Sequence, residues 1–191
     1  MYKRIFIKLI LVFLLFSCNA QEKLVENKLK KCVNKSVNHN LKYSLGKGDF
    51  DFYIFMKEIE NHLIEKRLLK NVSQTSYLEL FKRIKKERLF DTKKEIIKLS
   101  DSIGLAINMF FINNAVFNEC PYDVTKDLPN KKEHQIYKEG LKMSKLLNTG
   151  YEDLNNIKDV VLSIDEKHFN NIIYRVPIIY LVILNLTSDS K

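Results

Sequence analysis

Five glycines and three prolines are all that punctuate a chain of 191 residues. Glycine adds backbone entropy that folding must remove, and proline withholds a backbone donor. A chain this poor in both can carry long helices, and the intervening residues are rich in good helix formers. From about Glu22 to Tyr43 the residues Val25, Leu29, Cys32, Val33, Val37 and Leu41 recur at the three-and-four spacing of one apolar stripe. Lys23, Glu26, Lys30, Asn34 and Asn38 fall on the opposite face, which reads as solvated, with Glu26 and Lys30 as an i,i+4 pair.

The same periodicity continues along the chain. Asp49 or Asp51 can cap a helix to about Leu69, with Phe52, Phe55, Met56, Ile59 and Leu63 as its stripe. Ser76 and Thr92 are each followed three residues later by Glu, the form of a capping box, and two further helices are expected to open there. The second of these runs through Ile96, Ile103, Gly104, Ile107, Phe110 and Phe117 and reads as the most buried helix. Cys120-Pro121 ends it, and residues 121–129 read as a surface loop. Pro129-Asn130 with Glu133 marks the next start, and Gly150 its stop. A shorter helix is expected over 152–162, and Asp165 can cap a turn bearing Phe169.

The last apolar run, Ile178 to Leu184, is continuous and β-branched, so periodicity does not separate a buried helix from a buried strand. Pro177 suits the first turn of a helix, and no other strand is evident for pairing, so helix is the preferred reading and strand the alternative. The expected architecture is all-α: one domain, a helical bundle of about six to seven helices.

The first residues follow a different logic. Lys3, Arg4 and Lys8 precede eight consecutive apolar residues, Leu9 to Phe16. That run is too short to span a bilayer and has the layout of a secretory signal. Leu15-Phe16-Ser17-Cys18 resembles the lipobox of bacterial lipoproteins: an aliphatic residue, a variable one, a small one, then cysteine. Phe16 is bulkier than the usual occupant of its position. The resemblance covers this leader alone. It implies a signal peptide over residues 1–17, a mature domain over 18–191, and a diacylglyceryl group on Cys18. That address is the cell envelope, held to a membrane through the lipid anchor, with the outer membrane or periplasmic face as the expected site. A cut before Gln21, giving a soluble periplasmic or secreted protein, is the alternative.

Removing the leader takes three charges and lowers the formal net charge from +9 to +6. The excess is mostly lysine, with arginine present five times in the whole chain. This is a poor match to the forked phosphate contacts of nucleic-acid binders, and export removes the chain from most nucleic acid, so nucleic acid is not an expected partner. Beyond Cys18 two cysteines remain, Cys32 and Cys120. In an oxidising compartment they are expected to pair as a disulfide, the alternative being two separate buried thiols. Their spacing fits neither a zinc site nor a Cys-x-x-Cys motif.

Chemistry-bearing residues are sparse. Glu58, His62 and Glu65 share one helix face and are the weak candidates for metal ligation or acid–base work. His134 and His168 sit among charged residues and read as exposed. Asp165-x-x-His168 is a single imperfect copy of a motif that di-iron bundles need twice. Ser44-Leu-Gly-Lys47 matches a penicillin-binding-protein nucleophile motif without its companions and reads as a turn. Tyr122, Tyr151 and the Phe50–Phe55 cluster fall near turns, where a groove for a partner could form. No cofactor and no catalytic residue is assigned. The expected role is a protein-interaction or binding module at the membrane surface, with a small-ligand or lipid binder and a Glu/His envelope enzyme as alternatives.

Overall fold

The structure, a computed structural model, describes residues 2–46, 48–86, 89–101 and 111–187, with side chains from Ala20 onward except those of 90–92. Expectations placed on Lys47, Ile103, Gly104, Ile107 and Phe110, and on the side chains of Cys18 and Thr92, lie outside this set. Among the described residues the fold is all-α and no strand occurs. The described residues form nine α-helices, against the six to seven expected: α1 (Tyr2–Leu45), α2 (Phe52–Glu65), α3 (Gln74–Lys86), α4 (Phe90–Asp101), α5 (Cys120–Thr125), α6 (Gln135–Thr149), α7 (Leu154–Val161), α8 (Glu166–Phe169) and α9 (Ile172–Thr187). Two short helices, α5 and α8, account for the excess.

Helix α5 occupies residues 121–125 of the segment read as a surface loop, and 126–129 remain turn and bend. A π-helical turn, Ala115–Glu119, leads into it, and the Cys120 N–H donates to the Ala115 carbonyl. The widened turn lets the helical chain continue through Pro121, which has no N–H to donate to the preceding turn and whose ring would crowd the carbonyl four residues back in a regular α-helix. Gly140 of α6 packs directly on this corner. A Cβ at that position would lie 3.0 Å from Pro121 Cβ and 3.2 Å from the Phe117 carbonyl oxygen. The disulfide Cys32–Cys120 then ties α5 to α1.

The C-terminal apolar run is helical, and α9 begins at Ile172, so Pro177 lies inside the helix and not in its first turn. Every residue from Tyr174 to Leu186 is buried. A helix apolar on all sides belongs at the centre of its domain, and α9 packs against α2, α3 and α4. Among the described residues no helix is long and apolar enough to cross a membrane.

Three helix starts differ from expectation, and at α3 and α6 other groups reach the free N–H donors first. Helix α3 opens at Gln74, with Ser73 Oγ accepting from the Ser76 N–H, so Ser76 is inside the helix and not its cap. Helix α4 opens at Phe90, ahead of Thr92. Asn130 adopts a left-handed φ of 58°, and α6 starts at Gln135 behind His134, whose Nδ1 accepts from the Ile136 N–H. Asp51 does cap α2, accepting from the Tyr53 and Ile54 N–H groups.

The stripe of α1 is buried as the spacing predicts, with Val25, Leu29, Val33, Val37 and Leu41 in the core. Its polar face is not simply solvated. Asn38 donates to the Phe50 carbonyl at 2.7 Å and accepts from the Phe50 N–H at 2.8 Å. Asn34 Oδ1 accepts from the Phe52 N–H at 3.0 Å. Lys30 pairs with Asp51 at 3.0 Å, and Glu26 with Asn171, so the expected Glu26–Lys30 pair is replaced by contacts to other elements. These bonds fasten the α1–α2 connection along α1 and supply partners for backbone groups that the turn leaves unpaired.

Candidate functional site

The residues singled out on α2 do not converge. His62 Nε2 pairs with Glu95 Oε2 of α4 at 2.8 Å, and Lys66 holds the other oxygen of Glu95 at 2.9 Å. Glu58 and Glu65 are exposed. Lys66 and His62 keep the Glu95 carboxyl below the ordinary carboxylate range. His62 therefore works as a surface brace between α2 and α4.

Two other polar clusters lie between helices, and their members, including Glu26 and His168, were not expected to come together. The first is Glu60, Tyr77 and Arg175. Arg175 of α9 donates from Nε to Glu60 Oε1 at 2.7 Å and from Nη2 to Oε2 at 2.8 Å, while Nη1 donates to the Phe169 carbonyl at 2.6 Å. The Tyr77 hydroxyl donates to Glu60 Oε1. All three side chains are buried. Burial and the Glu60 carboxylate raise the Tyr77 hydroxyl well above its ordinary value. Burial opposes the Arg175 charge, and the Glu60 carboxylate more than restores it. The ion pair is bidentate and enclosed, so it is a structural clamp joining α2, α3 and α9.

The second cluster joins α1, α8 and α9 around Glu22, Glu26, His168 and Tyr174. Glu22 and Glu26 stand one helical turn apart on α1 and face the α8–α9 corner. His168 Nε2 lies 3.3 Å from Glu22 Oε1, and the Tyr174 hydroxyl donates to the same oxygen at 3.4 Å. Asn171 Nδ2 donates to Glu26 Oε1 at 3.0 Å. The rings of His168 and Tyr174 pack with centroids 4.5 Å apart. His168 is buried, at 7% exposure, and His134 is half-buried, so neither is the exposed histidine expected from the charged sequence around it. Burial pushes the His168 imidazole below its ordinary value, and the Glu22 carboxylate opposes that without overcoming it. The ligand atoms of Glu22, Glu26 and His168 all fall within 4.8 Å of one another, the one such group of three among the described residues.

Beside this cluster, Glu139 of α6 is fully enclosed. Its Oε1 has no hydrogen-bond partner among the described residues. Burial alone raises its carboxyl well above the ordinary value, which favours the neutral form. It lines a small space with Ile173 and Pro177, of about 20 Å³, room for one water and not for an organic ligand. Of the aromatic residues near turns, Tyr122 borders a surface groove, whereas Phe50 and Phe55 pack on each other and Tyr151 packs against the core. Tyr122, Tyr137 and Leu141 line an opening of about 500 Å³ between α5 and α6. Lys131 Nζ stands 5.8 Å from the Tyr122 ring centre and 6.0 Å from that of Tyr137.

No protein-family model, no curated protein and no solved structure matches this chain.

Proposed function

We propose that this chain is an exported envelope protein, anchored through a lipid on Cys18, that presents a rigid helical module to a protein partner at the membrane surface. One observation carries the reading: the Cys32–Cys120 disulfide. Such bridges persist in oxidising compartments and are rare in the cytosol. The bridge also accounts for two of the three cysteines in the sequence, which leaves Cys18, in its lipobox-like setting, as the thiol with a separate role. The groove at Tyr122, Tyr137 and Leu141 supports the binding half of the proposal, because tyrosines beside an exposed aliphatic side chain are common anchors at interfaces.

Labelling growing cells with a radioactive fatty acid, with Cys18→Ser as the control, tests the anchor. Label is expected on the wild-type chain and absent from the variant. Label that persists in Cys18→Ser defeats the assignment. A released chain beginning at Gln21 would establish simple secretion instead.

A further inference from the structure

We propose that Glu22, Glu26 and His168 form a binding site for a divalent transition-metal ion of the zinc class, with one coordination position left open to water. The charge pattern is the first argument. Lys and Arg number 32 against 23 acidic residues, yet among the described residues neither Glu22 nor Glu26 is paired with a lysine or arginine. Their polar neighbours are the amide of Asn171, the hydroxyl of Tyr174 and the His168 imidazole. Two carboxylates side by side without a cation repel one another, and a divalent ion neutralises both.

The donor set selects the ion. Two carboxylate oxygens and one imidazole nitrogen suit zinc and its first-row neighbours. Calcium and magnesium favour shells made wholly of oxygen, and copper(I) favours thiolate or thioether sulfur. One edge of the set has the right spacing, and all three ligand atoms lie within 4.8 Å of one another. Ligand bonds of about 2.1 Å set tetrahedrally put neighbouring ligand atoms ~3.4 Å apart, and His168 Nε2 already stands 3.3 Å from Glu22 Oε1. Three protein ligands leave the fourth position to water, the pattern of open zinc sites. Glu22, with its side chain 33% exposed, gives that position access to solvent.

The surroundings are built to hold the ligands still. Asn171 fixes the Glu26 carboxylate, and the Tyr174 ring packs on the imidazole of His168. Helix α8 is pinned by the Arg175 bond to the Phe169 carbonyl, one residue from His168. Supporting contacts of this kind orient ligands at metal centres. The site stands on described residues alone and is independent of the lipid anchor, although Glu22 follows Cys18 by four positions in the sequence.

The test is titration of the purified, oxidised, untagged chain with Zn²⁺ against a chromophoric chelator, repeated with Co²⁺ for its visible absorption. One ion per chain is expected, with the strong absorption of four-coordinate Co²⁺. Glu26→Gln and Glu22→Gln are isosteric and should each weaken Zn²⁺ binding at least 10-fold. Asn171→Ala, which removes a supporting contact, should weaken it about 10-fold. His62→Gln, on the other side chain cluster, should leave it unchanged. Zn²⁺ should raise the melting temperature of the wild type and not of Glu26→Gln, whose own melting temperature reports whether it is folded. No binding by the wild type, or equal binding by the wild type and both Glu variants, overturns the proposal. Loss of the site in His62→Gln, with the Glu variants unaffected, assigns the ion elsewhere and overturns it too.

Discussion

The guanidinium of Arg175 and the carboxylate of Glu60 face each other through two hydrogen bonds of 2.7 and 2.8 Å, 115 residues apart in sequence and both almost wholly buried. Removing one partner leaves the other charge enclosed without a counter-ion. Breaking a buried pair in this way costs roughly 3–5 kcal/mol. Arg175→Met and Glu60→Leu should each lower the free energy of urea unfolding by about that amount. The double variant should recover a large part of the loss, because an apolar replacement for the whole pair is often neutral. Simple additivity of the two losses would show that the pair does not act as a unit.

The apolar faces of this fold were legible in the sequence and the polar contacts between them were not. Val25, Leu29, Val33, Val37 and Leu41 follow from spacing alone, as do Phe52, Phe55, Met56, Ile59 and Leu63. Glu60 was invisible for a local reason: Glu58, Asn61 and His62 stand within two residues of it on α2, and its partner Arg175 lies in an apolar run far along the chain. The single arginine inside that run was the available signal, because a buried arginine requires an acidic partner. His168 was misread because Glu166 and Lys167 precede it, yet α8 turns its own side chain inward beneath Tyr174. Caps were misplaced by a few residues wherever a competing side chain, such as Ser73 or His134, stood nearer the free donors. The Glu22–Glu26 pair could have been noted as an i,i+4 carboxylate pair, but its histidine comes from the opposite end of the chain.

The Cys32–Cys120 bridge closes a loop across a sequence separation of 88 residues. In the chain-entropy account, a crosslink of that span lowers the freedom of the unfolded chain by about 4–5 kcal/mol. Cys32→Ser with Cys120→Ser should therefore lower the unfolding free energy by roughly 2–5 kcal/mol, and added reductant should move the wild type toward the variant. Denaturation curves that coincide for the oxidised wild type and the double variant would contradict this.

Gly140 separates two opposing effects of alanine in a helix. Alanine has a helix propensity better than glycine by about 1 kcal/mol. Its Cβ would press on the Pro121 ring at 3.0 Å and on the backbone oxygen of Phe117 at 3.2 Å. The π turn and α5 cannot retreat freely, since the disulfide fixes their junction to α1. Overpacking should win, and Gly140→Ala is expected to destabilise by about 1–3 kcal/mol. Gly48→Ala, where a Cβ meets nothing within 4 Å, should stay within about 0.5 kcal/mol of the wild type. Equal urea midpoints for the two variants would refute the close-packing argument.

Glu139 should leave a signature in the pH dependence of stability. Burial raises its carboxyl well above the ordinary value of 4.5, so the folded chain keeps a proton that the unfolded chain has already released. Wherever the native state binds more protons than the unfolded state, stability falls as pH rises. The loss begins as pH climbs past the unfolded value and continues until the folded group itself ionises, with a slope of up to about 1.4 kcal/mol per pH unit. Glutamine keeps the shape of the neutral acid and cannot ionise, so Glu139→Gln removes this one contribution and leaves those of His168 and the surface groups in place. Urea unfolding of both proteins between pH 4.5 and pH 8 should show the variant gaining on the wild type steadily as pH rises. Parallel stability curves across that range would mean that Glu139 is not held neutral in the fold.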